Sequence, residues 1–177
     1  MNAFFNTLDG ALVELSIFTE NDITDDYLAW LNDSNVMKFS NQRFLNHDIA
    51  SSKKYFLSFK NTDNLFILIR TKGERKSIGT MTAYFNFNHG VVDLGILIGD
   101  TSVWGKGYGR DAWNTLASWA LDLDAIRKIT AGTLSCNLGM LKVFERSGMS
   151  LEAIKKKQEV IDSVIFDVHY FCKFKGE

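Results

Sequence analysis

The stretch Leu94–Ala112, LGILIGDTSVWGKGYGRDA, decides how this chain is read. Apolar residues Leu94, Ile96, Leu97 and Ile98 form a buried strand. The strand runs into Trp104-Gly105-Lys106-Gly107-Tyr108-Gly109 and then into a helix whose apolar residues Ala112, Leu116, Trp119, Ala120 and Leu123 keep the 3.6-residue period. Glycines permit tight turns and close approach of backbone to a ligand. Backbone N–H groups at a helix N-terminus favour an anion, so a phosphate or pyrophosphate ligand is expected here, with Lys106 and Arg110 adding positive charge. The alternative is an ordinary glycine-rich turn with a solvated lysine. The spacing fits neither of two common phosphate loops. No Gly-Lys-Ser/Thr follows a four-residue spacer, which excludes a Walker A loop. Gly105, Gly107 and Gly109 read G-x-G-x-G, so the dinucleotide fingerprint fails at its third glycine.

Outward from this junction the chain alternates between two periods. Upstream, Val13, Leu15 and Ile17 mark a half-buried strand. Thr19 to Asp22 resembles a capping box, and Ile23, Tyr27, Trp30 and Leu31 follow on one helical face. A polar loop through Ser40–Arg43 leads to a second helix from about Asp48 to Lys60. Strands at Leu65–Arg70, Ile78–Phe87 and Val91–Ile98 are divided by turns at Lys72-Gly73-Glu74 and Asn88-His89-Gly90, a meander of hairpins. Downstream come a strand at Ile129–Cys136, a helix at Leu138–Ser147 stopped by Gly148, and strands at Leu151–Val160 and Val164–Phe174. The economical fold is a single α/β (α+β) domain over residues 1–177, a mixed, mostly antiparallel sheet of about seven strands flanked by about four helices.

Composition supports one packed domain and narrows the partners. The 177 residues are 46% hydrophobic and 13% aromatic, which excludes a disordered chain. The formal charge of −1 exerts no global pull on nucleic acid or an anionic membrane. No basic leader precedes an apolar segment at the N-terminus, and the apolar runs are strand-length, so a cytoplasmic location is expected. Cys136 and Cys172 read as buried thiols in a reducing compartment. His47, His89 and His169 lack metal-ligand spacing, so no metal is expected.

Two segments carry a family resemblance. WGKGYGRDA after an apolar strand resembles the acyl-CoA loop of the GNAT superfamily of N-acyltransferases, Q/R-x-x-G-x-G/A, with Gly107 and Gly109 on its glycines and Trp104 in place of Gln or Arg. Asn137 through Met149, NLGMLKVFERSGM, resembles that family's N-x-x-x-x-x-x-Y-E-K-x-G-F segment. The order of elements is similar over nearly the whole chain, and the branch most resembled holds ribosomal-protein-alanine and amino-sugar acetyltransferases. The resemblance implies acetyl-CoA as co-substrate and a primary amine as acceptor. The pantetheine arm would pair with the strand end at Leu97 and Ile98. The pyrophosphate would rest on N–H groups of the Trp104–Arg110 loop, namely Gly105, Lys106, Gly107, Tyr108, Gly109 and Arg110. Asn137 would hold the pantetheine or thioester, a role compatible with the plainer one of capping the helix from Leu138.

Amine attack on a thioester needs a group that takes a proton and one that stabilises the oxyanion. Asp93 interrupts an apolar strand, so it is the candidate base, acting through a water because it is shorter than the Glu common there. The alternative is a structural Asp bound to a neighbouring strand, and His89 is a second possible base. No acid is assigned: Phe144 stands where the family often has Tyr, and Met140 where the ribosomal-protein branch often has Ser. Tyr84, Tyr108 and Tyr170 are the remaining candidate phenols. No cysteine lies by the loop, so direct attack is expected. The Tyr27–Asp33 region with Arg43 is similar to amino-sugar acetyltransferases. It implies a nucleotide-linked amino sugar as first-choice acceptor, with Arg43 on its phosphate and Trp30 as a sugar platform. The plainer readings are a solvated loop arginine and a core tryptophan. A protein N-terminus is the alternative acceptor, and a non-catalytic CoA-binding module is the rival class. Lys155-Lys156-Lys157 reads as a solvated face or a partner for the adenosine 3′-phosphate. A monomer or a homodimer is equally compatible with the sequence.

Overall fold

The computed structural model describes residues 5–176. Its elements are β1 (Thr7–Asp9), β2 (Val13–Ile17), α1 (Asp25–Asn32), α2 (Ile49–Leu57), β3 (Leu65–Thr71), β4 (Ser77–Asn86) and β5 (Val91–Ile98). After these come α3 (Tyr108–Asp122), β6 (Lys128–Leu134), α4 (Leu138–Arg146), β7 (Ser150–Ile161) and β8 (Val164–Phe174). One sheet of eight strands runs β1-β2-β3-β4-β5-β6-β8-β7. Every neighbouring pair is antiparallel except β5 and β6, which α3 connects as a crossover. The strand that sequence reading missed is β1: three residues, Thr-Leu-Asp, are too few to show alternation.

The sheet is packed on both faces, which explains the unbroken apolar run in β3. Leu65, Ile67 and Ile69 enter the main core with α3, while Phe66 and Leu68 join Phe18 and Tyr27 beneath α1 and α2. Helix α3 buries Ala112, Trp113, Leu116, Ala117 and Ala120, its 3.6-period stripe, against the sheet. Helix α4 ends in a Schellman motif: Met149 N–H donates to the Phe144 carbonyl at 3.0 Å and Gly148 N–H to that of Glu145 at 3.1 Å. Gly148 takes the required positive φ of 69°.

The capping box differs from expectation. Thr19 and Asp22 do form one, but it closes a single 3-10 turn at Glu20–Asp22. Helix α1 begins afresh, with Thr24 accepting from Tyr27 N–H at 3.3 Å. Asp22 then turns to the sheet, where Arg70 Nη2 donates to it at 2.8 Å. Asn32, the last residue of α1, brackets the start of α2: its side chain donates to the His47 carbonyl at 2.8 Å and accepts from His47 N–H at 3.0 Å.

The feature that shapes the site is how briefly β5 and β6 stay together. Their parallel register covers Val91–Lys128, Val92–Ile129 and Asp93–Thr130, and stops. From Leu94 onward β5 keeps its antiparallel partner β4 but has no register with β6. The sheet therefore forks at Asp93, and one edge of β5 offers unpaired backbone groups to a ligand.

Candidate active site

The glycine loop stands at the open end of the fork. Gly105 and Gly107 adopt φ of 73° and 94°, a region that an L side chain enters only with strain. Gly107 is the N-cap of α3 and supplies no side chain to cap it. The first N–H groups of the helix thus lack an intrahelical acceptor and face outward beside the exposed Lys106 and Arg110, an arrangement that fits a pyrophosphate. A Cβ on Gly105 would meet nothing within 4 Å, so the loop is open on that side. Trp104 folds back, its indole N–H donating to the Ile98 carbonyl at 2.9 Å. That carbonyl, expected to pair with a pantetheine arm, therefore already has one donor. Leu97, one residue earlier, lies open to a cleft.

A residue the sequence reading passed over fixes this loop. The Asp111 carboxylate accepts from the backbone N–H groups of Ala11 (3.1 Å), Leu12 (2.7 Å) and Val13 (3.0 Å) in the β1–β2 turn. The turn comes so close that a Cβ on Gly10 would lie 2.4 Å from Asp111 Oδ2. Asp111 sits in the first turn of α3, so the clamp holds the start of that helix, and the loop above it, to the sheet edge. No local pattern could reveal an interaction across about a hundred residues.

At the vertex, Asp93 lies between Tyr84 on β4 and Thr130 on β6, its register partners on either side. Thr130 Oγ1 donates to Asp93 Oδ2 at 2.7 Å. The carboxylate opens into a cleft of about 300 Å³ whose walls include Asn41, Gly132, Glu159 and Tyr170. Its surface is accessible, yet protein packed around the cleft displaces much of the surrounding water. That burial pushes the Asp93 carboxyl above its ordinary value, and the Thr130 hydrogen bond opposes the shift. A carboxylate raised in this way is a better proton acceptor than a free one. His89 sits in the β4–β5 turn, on the closed side of the vertex, and its carbonyl accepts from Arg127 Nε at 2.9 Å.

The roof of this cleft comes from distant segments. Arg43 Nη1 donates to the Ser40 carbonyl (2.8 Å) and Nη2 to the Val160 carbonyl of β7 (3.0 Å), with its guanidinium 4.3 Å from the Phe44 ring centroid. Asn41 Nδ2 donates to Glu159 Oε1 at 3.1 Å. Arg43, expected on a sugar-nucleotide phosphate, is used here as a latch between the α1–α2 loop and the β7–β8 hairpin. Trp30 is also placed differently from the sugar-platform expectation. Its ring lies over Gly99, where a Cβ would come within 2.1 Å of it, and it packs with Tyr27. Neither residue lines either cleft. The lysine run forms a bulge in β7: Lys156 Nζ and Lys157 N–H both donate to Asp167, at 2.9 and 2.8 Å.

A larger cleft, about 660 Å³, lies between α1, α2 and the sheet. Thr82, Gly95 and Leu97 are among its floor residues, and Gly95 and Leu97 share the face of β5 that carries Asp93. Tyr55, which lines it, has its hydroxyl 3.2 Å from that of Tyr84, the β4 partner of Asp93.

The positions that would hold the usual acids are turned elsewhere. Phe144 is fully buried, its ring 5.2 Å from that of Trp113 and 4.8 Å from that of Phe171. Met140 packs against the same core. Asn137 caps α4, its side chain accepting from Met140 N–H at 3.2 Å. Among the described residues no cluster of three or more His, Cys, Asp or Glu is placed to hold a metal, and no helix is long and apolar enough to cross a membrane.

A family model described as Acetyltransferase (GNAT) domain matches residues 13–150, well over half of the chain. The chain belongs to the GNAT acetyltransferase family. It has the single GNAT fold of that family.

Similar solved structures place the GNAT fold over almost all of the chain. A GNAT-family acetyltransferase from Bacillus anthracis is 18% identical with a TM-score of 0.82, covering 97% of this chain and 99% of its own. A ribosomal L7/L12 alpha-N-protein acetyltransferase in complex with coenzyme A is 15% identical with a TM-score of 0.82, covering 95% and 97%. A spermidine N-acetyltransferase from Vibrio cholerae, in complex with CoA and spermine, is 15% identical with a TM-score of 0.81, covering 93% and 96%. An uncharacterised protein of Methanocaldococcus jannaschii is 25% identical over 146 residues, or 82% of this chain. The chain spans about a third of that relative's length, the match covering 30% of it.

Proposed function

We propose that this GNAT protein transfers an acetyl group from acetyl-CoA to a primary amine by direct attack at the fork, with Asp93 as the base. The observation that carries the reading is the parting of β5 from β6 at Asp93, next to a glycine loop with outward N–H groups. The pyrophosphate rests on the start of α3, and the pantetheine runs along the free edge of β5 toward the vertex. The amine nitrogen attacks the thioester carbonyl carbon, and the tetrahedral adduct collapses with loss of the C–S bond. The proton shed by nitrogen passes to Asp93, directly or through a water, and CoA leaves as the thiolate. Free β5 N–H groups at the fork are the nearest donors for the oxyanion. Neither Phe144 nor Met140 can protonate the thiolate, which leaves solvent or one of the phenols Tyr84, Tyr108 and Tyr170 as the proton source.

The acceptor is not a nucleotide-linked sugar in this reading, since Arg43 and Trp30, which carried that expectation, are engaged in protein contacts and line neither cleft. A protein N-terminus is the second reading. The cleft of about 300 Å³ beside Asp93, walled in part by the β7–β8 hairpin, favours it as a channel for an extended chain.

The test is thiol release from acetyl-CoA by the purified protein across a broad amine panel, with the acetylated product identified by mass. Amine-dependent release supports the proposal. Tight acetyl-CoA binding without release above the amine-free rate, for every amine, would leave a non-catalytic CoA-binding module.

A further inference from the structure

The cleft of about 660 Å³ has a chemistry that narrows the acceptor, and the inference rests on the acetyltransferase reading above. Its volume suits a small molecule rather than a water cluster. Leu31, Met37, Phe66, Met81 and Ile96 make its walls largely apolar. Among the described residues no carboxylate lines it. Its basic side chains are Lys54, exposed, and His47, whose Nε2 lies 3.1 Å from the Gln42 carbonyl. Tyr27, another lining residue, has its phenol pushed up to about 12 by burial, as expected in poorly hydrated surroundings.

One buried polar atom in the lining of this cleft is unaccounted for. Ser52, on α2, is 3% exposed and lines this cleft, and its Oγ has no hydrogen-bond partner among the described residues. Buried hydroxyls are ordinarily paired, and leaving one unpaired costs free energy. The orphan therefore marks where a ligand supplies the missing partner.

The floor connects this cleft to the reacting centre. Asp93, Gly95 and Leu97 point to one face of β5, and Gly95 lies about 7 Å along the strand from Asp93. Thr82 Oγ1 stands over Gly95, where a Cβ would come within 2.6 Å of it, so a hydroxyl lies between the cleft and Asp93. An amine presented to Asp93 on a short arm would leave the rest of its molecule in the cleft.

We propose that the acceptor is a monoamine with an apolar, aryl-alkyl or branched alkyl body carrying one hydrogen-bonding group that reaches Ser52. A polyamine would bring a second ammonium into apolar surroundings without a carboxylate to pair it. A nucleotide sugar would bring two phosphates to a cleft with one exposed lysine.

The experiment compares four probes on the full chain: tyramine, phenethylamine, spermidine and a uridine-diphosphate amino sugar. Thiol release gives kcat/KM, and calorimetry with CoA present gives affinity independently of turnover. The expected result is kcat/KM for tyramine at least about tenfold above spermidine and the sugar nucleotide. Ser52→Ala should raise KM for tyramine about three- to tenfold, the range of one hydrogen bond, and leave phenethylamine unchanged. Leu45→Trp, a filling change at an exposed lining position, should weaken both arylalkylamines and spare acetyl-CoA affinity. Preference for spermidine or the sugar nucleotide overturns the inference, as does a Ser52→Ala enzyme whose two arylalkylamine values both stay put. If no amine releases thiol, the acetyltransferase reading fails, and calorimetry still decides this one. Tyramine binding lost in Leu45→Trp upholds the cleft as a ligand site, and no tyramine binding to the native chain overturns it.

Discussion

Replacing Asp93 by Asn separates the base from every structural role the residue has. Asn is nearly isosteric and its oxygen still accepts from Thr130 Oγ1, so the 2.7 Å hydrogen bond survives. What disappears is a group that can take a proton. General-base catalysis contributes roughly 10²–10⁴-fold, so kcat should fall by about that factor, or about 2.7–5.4 kcal/mol of transition-state stabilisation. Stability should move the other way. Burial raises the Asp93 carboxyl in the folded state, so the folded chain binds that proton more tightly than the unfolded chain. Stability from this group is therefore present at low pH and declines as pH rises through the window between the ordinary and the raised value. At neutral pH the ionised carboxylate is a cost that Asn removes, so the thermal midpoint should stay level or rise. Paired thiol-release kinetics and thermal melts read both quantities. Activity within about tenfold of native, below that range, refutes Asp93 as base. A drop of several degrees in Tm would mark it instead as a structural hydrogen-bonding residue.

Thr130→Val removes the one hydrogen bond that lowers the Asp93 carboxyl, so the acid limb of the kcat/KM profile should move to higher pH while the plateau at alkaline pH is kept; an unmoved limb denies the assignment. Asp111→Ala deletes three charge-assisted hydrogen bonds to the β1–β2 turn and should cost about 2–4 kcal/mol, read as a fall in Tm of about 4–16 °C, together with weaker acetyl-CoA binding by calorimetry. Phe144→Tyr should not restore an acid, because the side chain is sealed between Trp113 and Phe171; it should lose about 1–3 kcal/mol in denaturant melts with no gain in kcat.

What could be read in the sequence was what short-range physics encodes. The strand–glycine loop–helix junction, the α3 stripe and the Gly148 stop all depend on residues within a few positions of each other. Boundaries failed where two local signals competed: Thr19 and Thr24 are both capping residues, and the chain uses both, five residues apart. Candidate site residues failed where the partner lies far along the chain. Arg43 reads as a free cation until β7 brings the Val160 carbonyl to it, and Asp111 reads as one more acid in a helix until the β1–β2 turn closes on it. Ser52 is invisible for the opposite reason: a missing partner leaves no pattern. Asp93 stands out in the sequence because a charge in an apolar strand conflicts with its neighbours.

The most direct test is amide hydrogen exchange with and without acetyl-CoA, mapped by peptide. The account predicts new protection in two places, the free edge of β5 at Leu94–Ile98 and the loop and helix start at Gly105–Arg110, with the α2 wall of the larger cleft unchanged until an amine is added. Protection confined to α1 and α2, with the glycine loop exchanging as before, would put the acetyl donor in the larger cleft and contradict the assignment of both sites.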